Sequence, residues 1–385
     1  MPLKNASLWT PDLHTALRPI MPLLADDSVT EIEVNSFDKV LAKGSGWRGH
    51  KHQDGVAWPS RSNLLTGCAV LAQASGRVVN EDNPVFDGRL PGGERLNIVV
   101  PPACADISIT IRKFPAETMS LEDLLKFGAI DERLVTMFRS LVLARKNILV
   151  SGGTNSGKTS LVNALARLIP HTERIITVED SKELQIRQPN WVSLETVQAW
   201  RKGAEDIPIS RLVKNTLRQT PDRIVVGECR GEEALYLLRA FSTGHSGGFS
   251  TVHANSAADS LDQIQLLSQF SDVDLSSSTV AQLVARAVEV VIHVQQFPED
   301  DSRKVAEIIE VSKPGVRFAD GAAHFLYRTL VRYEVHHVAT LEDGGHRIEG
   351  DWAFPERPSD ALLDLIGFKG LEWPKESREA LCPAV

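Results

Sequence analysis

Four short segments carry the residues able to do chemistry. The first is Gly152-Gly153-Thr154-Asn155-Ser156-Gly157-Lys158-Thr159, with Ser160 following. Glycines at this spacing let successive backbone N–H groups curl around phosphate oxygens, and a helix starting at the lysine aims its positive end at the same oxygens. Lys158 then reaches the β and γ phosphates of ATP, and the Thr159 hydroxyl binds Mg2+. The second segment is Pro221-Asp222-Arg223-Ile224-Val225-Val226-Gly227-Glu228, an apolar run that ends in a carboxylate. A strand beside the phosphate loop that delivers Glu228 at its end can orient or deprotonate the attacking water. Gly227 occupies the place where many P-loop enzymes carry a magnesium-holding Asp.

The third segment is Glu179-Asp180, closing the apolar run Ile175-Ile176-Thr177-Val178. Glu179 is a catalytic candidate and Asp180 a metal candidate, able to act on magnesium through water or on the nucleophile, although such a pair equally suits an acidic turn. The fourth covers 242–255, where His245 and His253 flank a Gly/Ser/Thr run. Histidine can hydrogen-bond a γ-phosphate and report its loss, and glycines let a loop move. Each histidine suits a structural role as well.

These segments need a scaffold, and the patterning supplies one of α/β class. Residues 147–151, 175–178 and 224–226 are short apolar strands separated by helical stretches such as 132–145 and 158–169, which predicts a mostly parallel sheet wrapped by helices. Upstream, 17–24 and 63–76 read as helices and 29–35, 96–100 and 107–111 as strands, an N-terminal α+β domain over 1–114. Phe114-Pro115 breaks the pattern, and Ser120-Leu121-Glu122-Asp123 resembles a capped helix start, so 115–120 reads as a linker and 121–312 as the ATPase domain. Beyond Pro314 the run 325–338 is rich in strand formers and Asp343-Gly344-Gly345 signals a turn; 313–385 is expected as a C-terminal extension without assigned structure.

With 385 residues, 42% apolar and 24% charged, the chain suffices for two or three separately cored globular units. The net charge of −8 gives no overall attraction to phosphate backbones and disfavours direct nucleic-acid binding. Cys68, Cys104, Cys229 and Cys382 are widely spaced with no CxxC, which suggests bland thiols in a reducing compartment. Residues 1–13 lack a signal-peptide pattern, and no apolar stretch is long enough for a membrane helix, so a cytoplasmic location with membrane association through partners is expected.

The phosphate loop, the Glu179-Asp180 box, the PDRIVVGE strand and the GHSGGFSTVHANS box, in this order, resemble the secretion ATPase superfamily of type II secretion, type IV pili and type IV secretion. Leu90-Pro91-Gly92-Gly93-Glu94-Arg95-Leu96 and Ile107-Ser108-Ile109-Thr110-Ile111-Arg112-Lys113 look like the type IV secretion and conjugation ATPases and the related tight-adherence pilus motors. The resemblance covers roughly 27–311. It implies an N-terminal domain joined to a RecA-like domain, a homo-hexameric ring, nucleotide held between the two domains, and partners in an inner-membrane secretion or pilus complex. By resemblance, Arg95 and Arg112 approach the phosphates, Glu228 is the Walker B glutamate, and His245 and His253 form the histidine box. Thr220 departs from relatives, which carry an Arg there close to the nucleotide; its loss weakens charge stabilisation unless Arg218 or Arg223 substitutes, and Arg223 is equally suited to pairing with Asp222 at the surface. A pilus motor would share every motif, a nucleic-acid motor would need a basic channel, and a non-hydrolysing assembly protein would have no use for Lys158, Thr159 and Glu228 together.

Overall fold

The computed structural model describes residues 8–44, 47, 49–114, 118–197, 205–341 and 345–375. Residues 1–7, the 115–117 part of the expected linker, Asp343 and Gly344 of the expected turn, and Cys382 lie outside the described residues. The chain divides into two compact units, Met1–Glu117 and Thr118–Val385.

In the first unit, α1 (Pro11–Ala16) precedes the stretch expected as one helix over 17–24, which is two pieces, a single 3-10 turn (Arg18–Ile20) and α2 (Met21–Ala25). Prolines 19 and 22 cause the breaks, because proline has no N–H to donate and tolerates only a first helical turn. Period-two alternation builds β1 (Val29–Ser36), β5 (Arg95–Val99) and β6 (Ser108–Arg112), and the sheet is completed by β2 (Lys39–Gly44), β3 (Lys51–His52) and β4 (Val85–Arg89). The order is β3-β2-β1-β6-β5-β4, antiparallel throughout. Ile32, Val34, Leu96, Ile98, Ile109 and Ile111 fill the core with α3 (Arg61–Ala74). The opposite sheet face carries Glu31, Arg95 and Arg112, with Arg112 directly across from both Arg95 and Glu31.

The second unit opens at α4 (Leu121–Lys126), where Ser120 and Asp123 form the expected capping box. Its nine-stranded sheet has the order β15-β14-β13-β12-β7-β11-β10-β8-β9. Six strands are parallel: β7 (Ile148–Gly152), β8 (Ile175–Glu179), β9 (Trp191–Glu195), β10 (Arg223–Cys229), β11 (Phe249–Val252) and β12 (Val290–Gln296). Strands buried on both faces read as continuous apolar runs, as β7 and β8 do. One face packs against α4, α5 (Glu132–Leu143), α6 (Lys158–Ala166) and α11 (Asp360–Phe368); the other packs against α7 (Ile209–Thr216), α8 (Glu233–Ser242), α9 (Ala257–Ser268) and α10 (Ser277–Ala287).

The region after 312 continues this sheet. Strand β13 (Arg303–Ala319) passes through positions 312 and 313 and pairs antiparallel with β12, followed by β14 (Ala322–Thr340) and β15 (His346–Ala353). Leu330, Val331, Leu362, Ile366 and Trp373 lie in the same core as Val150 and Leu161.

Candidate functional site

All parallel strands point their C-terminal ends at one rim, and the phosphate loop leaves that rim from β7. Gly152 has φ +155 and a Cβ there would stand 2.2 Å from the Val294 carbonyl oxygen; Gly157 has φ +99. Only glycine satisfies both conditions. Asn155 at the apex has φ +60, a left-handed conformation that asparagine tolerates better than most residues. Gly157 is the N-cap of α6 and provides no side-chain acceptor, whereas Ser120, Asp131, Ser256, Ser276 and Ser359 cap α4, α5, α9, α10 and α11. The first N–H groups of α6 therefore face outward for an anion. Buried Lys158 folds its Nζ back onto the carbonyls of Gly152 and Gly153, at 2.9 and 2.7 Å. Burial lowers its pKa, opposed by the nearby Glu228 carboxylate. Gly153 and Thr154 are exposed at the loop mouth, Ser156 donates to the Gly153 carbonyl at 2.9 Å, and Thr159 and Ser160 open α6 half-buried.

Glu228, near the end of β10, stands two strands away from β7 on the same rim. Arg230 Nη2 donates to its Oε2 at 2.7 Å, and His253 Nε2 lies 2.8 Å from its Oε1 without the alignment of a hydrogen bond. Burial, and then the charge of Lys158, lowers the His253 pKa against the pull of Glu228, which favours the neutral ring. Glu179 ends the neighbouring β8. Its Oε1 accepts the amides of Glu183 and Leu184 at 2.8 and 2.9 Å, while its buried Oε2 has no partner. Burial outweighs those two donors and pushes the carboxyl up to about 7. A Cβ on Gly227 would meet the Glu179 Cγ at 2.8 Å. The glycine is thus what allows the adjacent strand to bring a carboxylate into the place where an Asp on β10 would otherwise stand.

Lys158, Glu228, Glu179 and His253 accordingly share one rim; His245 does not. Residues 249–252, expected as part of a mobile glycine-rich loop, are the fully buried central strand β11, which separates the two histidines. His245 belongs to the turn before β11, at the N-terminal rim, where Gly247 N donates to Asn147 Oδ1 at 2.8 Å. Arg218, Thr220 and Arg223 also lie at or before the start of β10, on that rim. The expectation that Arg223 substitutes at the phosphates or sits at the surface is corrected: its side chain is 0% exposed and forks onto Glu173, with Nε to Oε2 at 2.6 Å and Nη2 to Oε1 at 3.2 Å.

The donor set at the active rim fits a magnesium nucleotide: an uncapped helix start, a cation parked on loop carbonyls, and an orphaned buried carboxylate oxygen. Thr159 Oγ1 lies 3.3 Å from Glu183 Oε2, while exposed Asp180 faces Arg230 at 3.6 Å. Glu183, Arg230 and Arg303 carry no local sequence signal, because each reaches the rim from a loop or a distant hairpin.

Residues 52–338 match the family model described as Type II/IV secretion system protein. The chain belongs to this family. It is 34% identical over 334 residues to the type IV secretion system protein VirB11 of Bartonella henselae, covering 76% of this chain and 91% of the relative. It is 33% identical over 305 residues to the probable conjugal transfer protein TrbB of Sinorhizobium fredii, covering 77% and 86%. Among solved structures, the pilus retraction motor PilT with bound ADP shares the fold, with TM-score 0.53, 18% identity and coverage of 93% of this chain and 86% of that one. Family membership, the α/β class and the type IV secretion and conjugation kinship agree with the resemblance carried by the motifs. Among the described residues no helix is long and apolar enough to cross a membrane.

Proposed function

We propose that this secretion-family chain hydrolyses ATP to ADP and phosphate and couples that turnover to substrate transport or pilus assembly in a type IV secretion or conjugation system, as a cytoplasmic homo-hexamer docked on inner-membrane partners. The observation that carries the reading is the convergence of Lys158, Glu228 and His253 beside the uncapped start of α6. In this reading the amides of 153–159 and the α6 N-terminus hold the phosphates, and Lys158 turns from the Gly152 and Gly153 carbonyls to the β and γ oxygens. Glu228 orients the attacking water and accepts its proton, while neutral His253 hydrogen-bonds the γ-phosphate. Glu179, with a pKa near 7, holds or releases a proton beside that water. Bound magnesium would neutralise phosphate charge, held by Thr159 and, through water, by Asp180. In the N-terminal unit, Arg95 and Arg112, adjacent across β5 and β6, are two guanidinium groups suited to contacting an anion such as phosphate.

The test is magnesium-dependent ATP turnover of the parent against Glu228→Gln, with assembly followed by light scattering. Loss of the general base should lower kcat by about 10²- to 10⁴-fold while nucleotide binding and assembly persist. Equal turnover in the two proteins, or no turnover from an assembled, nucleotide-bound parent, sinks the hydrolytic reading.

A further inference from the structure

We propose that Arg303, on the first residue of β13, is a positioning residue for the phosphate loop, holding its apex from outside in the shape that receives nucleotide. The inference rests on the reading of 152–159 as a nucleotide site.

Arg303 Nε donates to the Asn155 carbonyl at 2.7 Å, and its Cδ lies 3.5 Å from where a Gly157 Cβ would be. The apex therefore rests on this side chain at both of its left-handed residues, Asn155 and Gly157. Those turns are what make the loop amides converge inward, and they send the Asn155 carbonyl outward, away from any phosphate. A charged donor on that carbonyl fixes the strained turn without competing for the ligand. Lys158 cannot do the same. It holds the Gly152 and Gly153 carbonyls, but it is the group that must swing to the phosphates, and those carbonyls then lose their cation.

The support behind Arg303 is rigid. It faces Gln296 across the β12–β13 hairpin, whose turn is closed by Phe297 N to Ser302 O at 2.8 Å. That turn holds three acidic residues, Glu299, Asp300 and Asp301, and the two nearest Arg303 in sequence are engaged elsewhere. Asp300 accepts from the Ser302 and Ile348 amides at 2.9 and 2.8 Å, and Asp301 accepts from Gln296 Nε2 at 3.0 Å. Among the described residues the Arg303 guanidinium forms no ion pair, and its one hydrogen bond goes to the loop.

The experiment compares the full-length parent, Arg303→Ala, Arg303→Lys and Lys158→Ala by binding of a fluorescent ATP analogue, steady-state turnover and thermal melting without ligand. Losing one charge-assisted hydrogen bond should raise Kd and KM for ATP in Arg303→Ala about three- to tenfold, with kcat close to the parent value and the ligand-free Tm unchanged. Arg303→Lys should fall between the two. Parent-like Kd and KM in Arg303→Ala, while the parent binds and Lys158→Ala does not, overturns the inference and leaves the nucleotide site standing. A parallel fall in kcat, affinity and Tm would mark general damage and overturns it too, with Arg303→Lys deciding if Arg303→Ala fails to fold. A parent that binds no nucleotide sinks the site reading first, and the inference with it.

Discussion

At the N-terminal rim of the parallel strands, Glu173 pairs with both Arg145 and Arg223 while Asn147 ties backbone groups together; at the C-terminal rim, one oxygen of Glu179 is buried without a partner and the start of α6 has no side-chain cap. On the first rim Arg223 meets Glu173 and the Gly247 carbonyl, Arg145 Nη2 meets the Asp222 carbonyl at 2.6 Å, and Asn147 accepts from Gly247 and donates to Ala287 at 2.9 Å. On the second, Glu179 Oε2 is buried without a partner and α6 has no side-chain cap. Both rims are rich in charge, so charge alone does not mark the reactive one. The difference lies in which groups remain unpaired: His245 Nδ1 is an exception on the first rim, but on the second the unpaired oxygens belong to two carboxylates, Glu179 and Glu228, beside the uncapped start of α6, and such a cluster points to something that binds there.

Substitutions on the closed rim should therefore cost stability, and substitutions on the open rim should cost activity or even add stability. Arg223→Ala should have the largest effect, about 3 to 5 kcal/mol for breaking a buried pair, seen as a Tm drop of roughly 10 °C. A variant melting like the parent would remove the distinction between the rims. Asn147→Ala should come next, at about 2 to 3 kcal/mol for the buried backbone groups it orphans, measured by urea unfolding. Glu179→Gln should move in the opposite direction by the smallest amount. The folded pKa near 7 lies above the ordinary 4.5, so the parent's stability from this group is complete below pH 4.5 and is lost as pH rises through 7. Glu179→Gln should then melt a few degrees above the parent at pH 8 and level with it at pH 4.5. Parallel melting profiles across that range would mean that Glu179 is not a strained acid.

The open rim was legible in the sequence to the degree that its signals are local. The phosphate loop, the strand ending in Glu228 and the capping box at Ser120 each depend on residues within a few positions of one another. His245 and His253 are also close in sequence, but four buried residues of β11 stand between them, and a Phe-Ser-Thr-Val run inside a glycine-rich stretch gives too short a period to announce a central strand. The burial of Arg223 has no local signal, because a charged residue at a strand start is normally solvated and its partner Glu173 is 50 positions away. Strands β2 and β4 carry no clear signal for a related reason: short, lysine- or glycine-bearing strands take their identity from the neighbours they pair with rather than from their own residues.

The continuity of β13 changes how this chain can be cut. A truncation at 312, where composition invites a boundary, would divide β13 in its middle, remove α11 and Trp373 from a shared core, and leave the remaining half of β13 without β14 beside it. The product would carry raw, unpaired backbone along a hydrophobic edge, the kind of surface that recruits other strands into aggregates. Insolubility of such a fragment would report on sheet completion alone, and the C-terminal region is better probed by point changes on its exposed face.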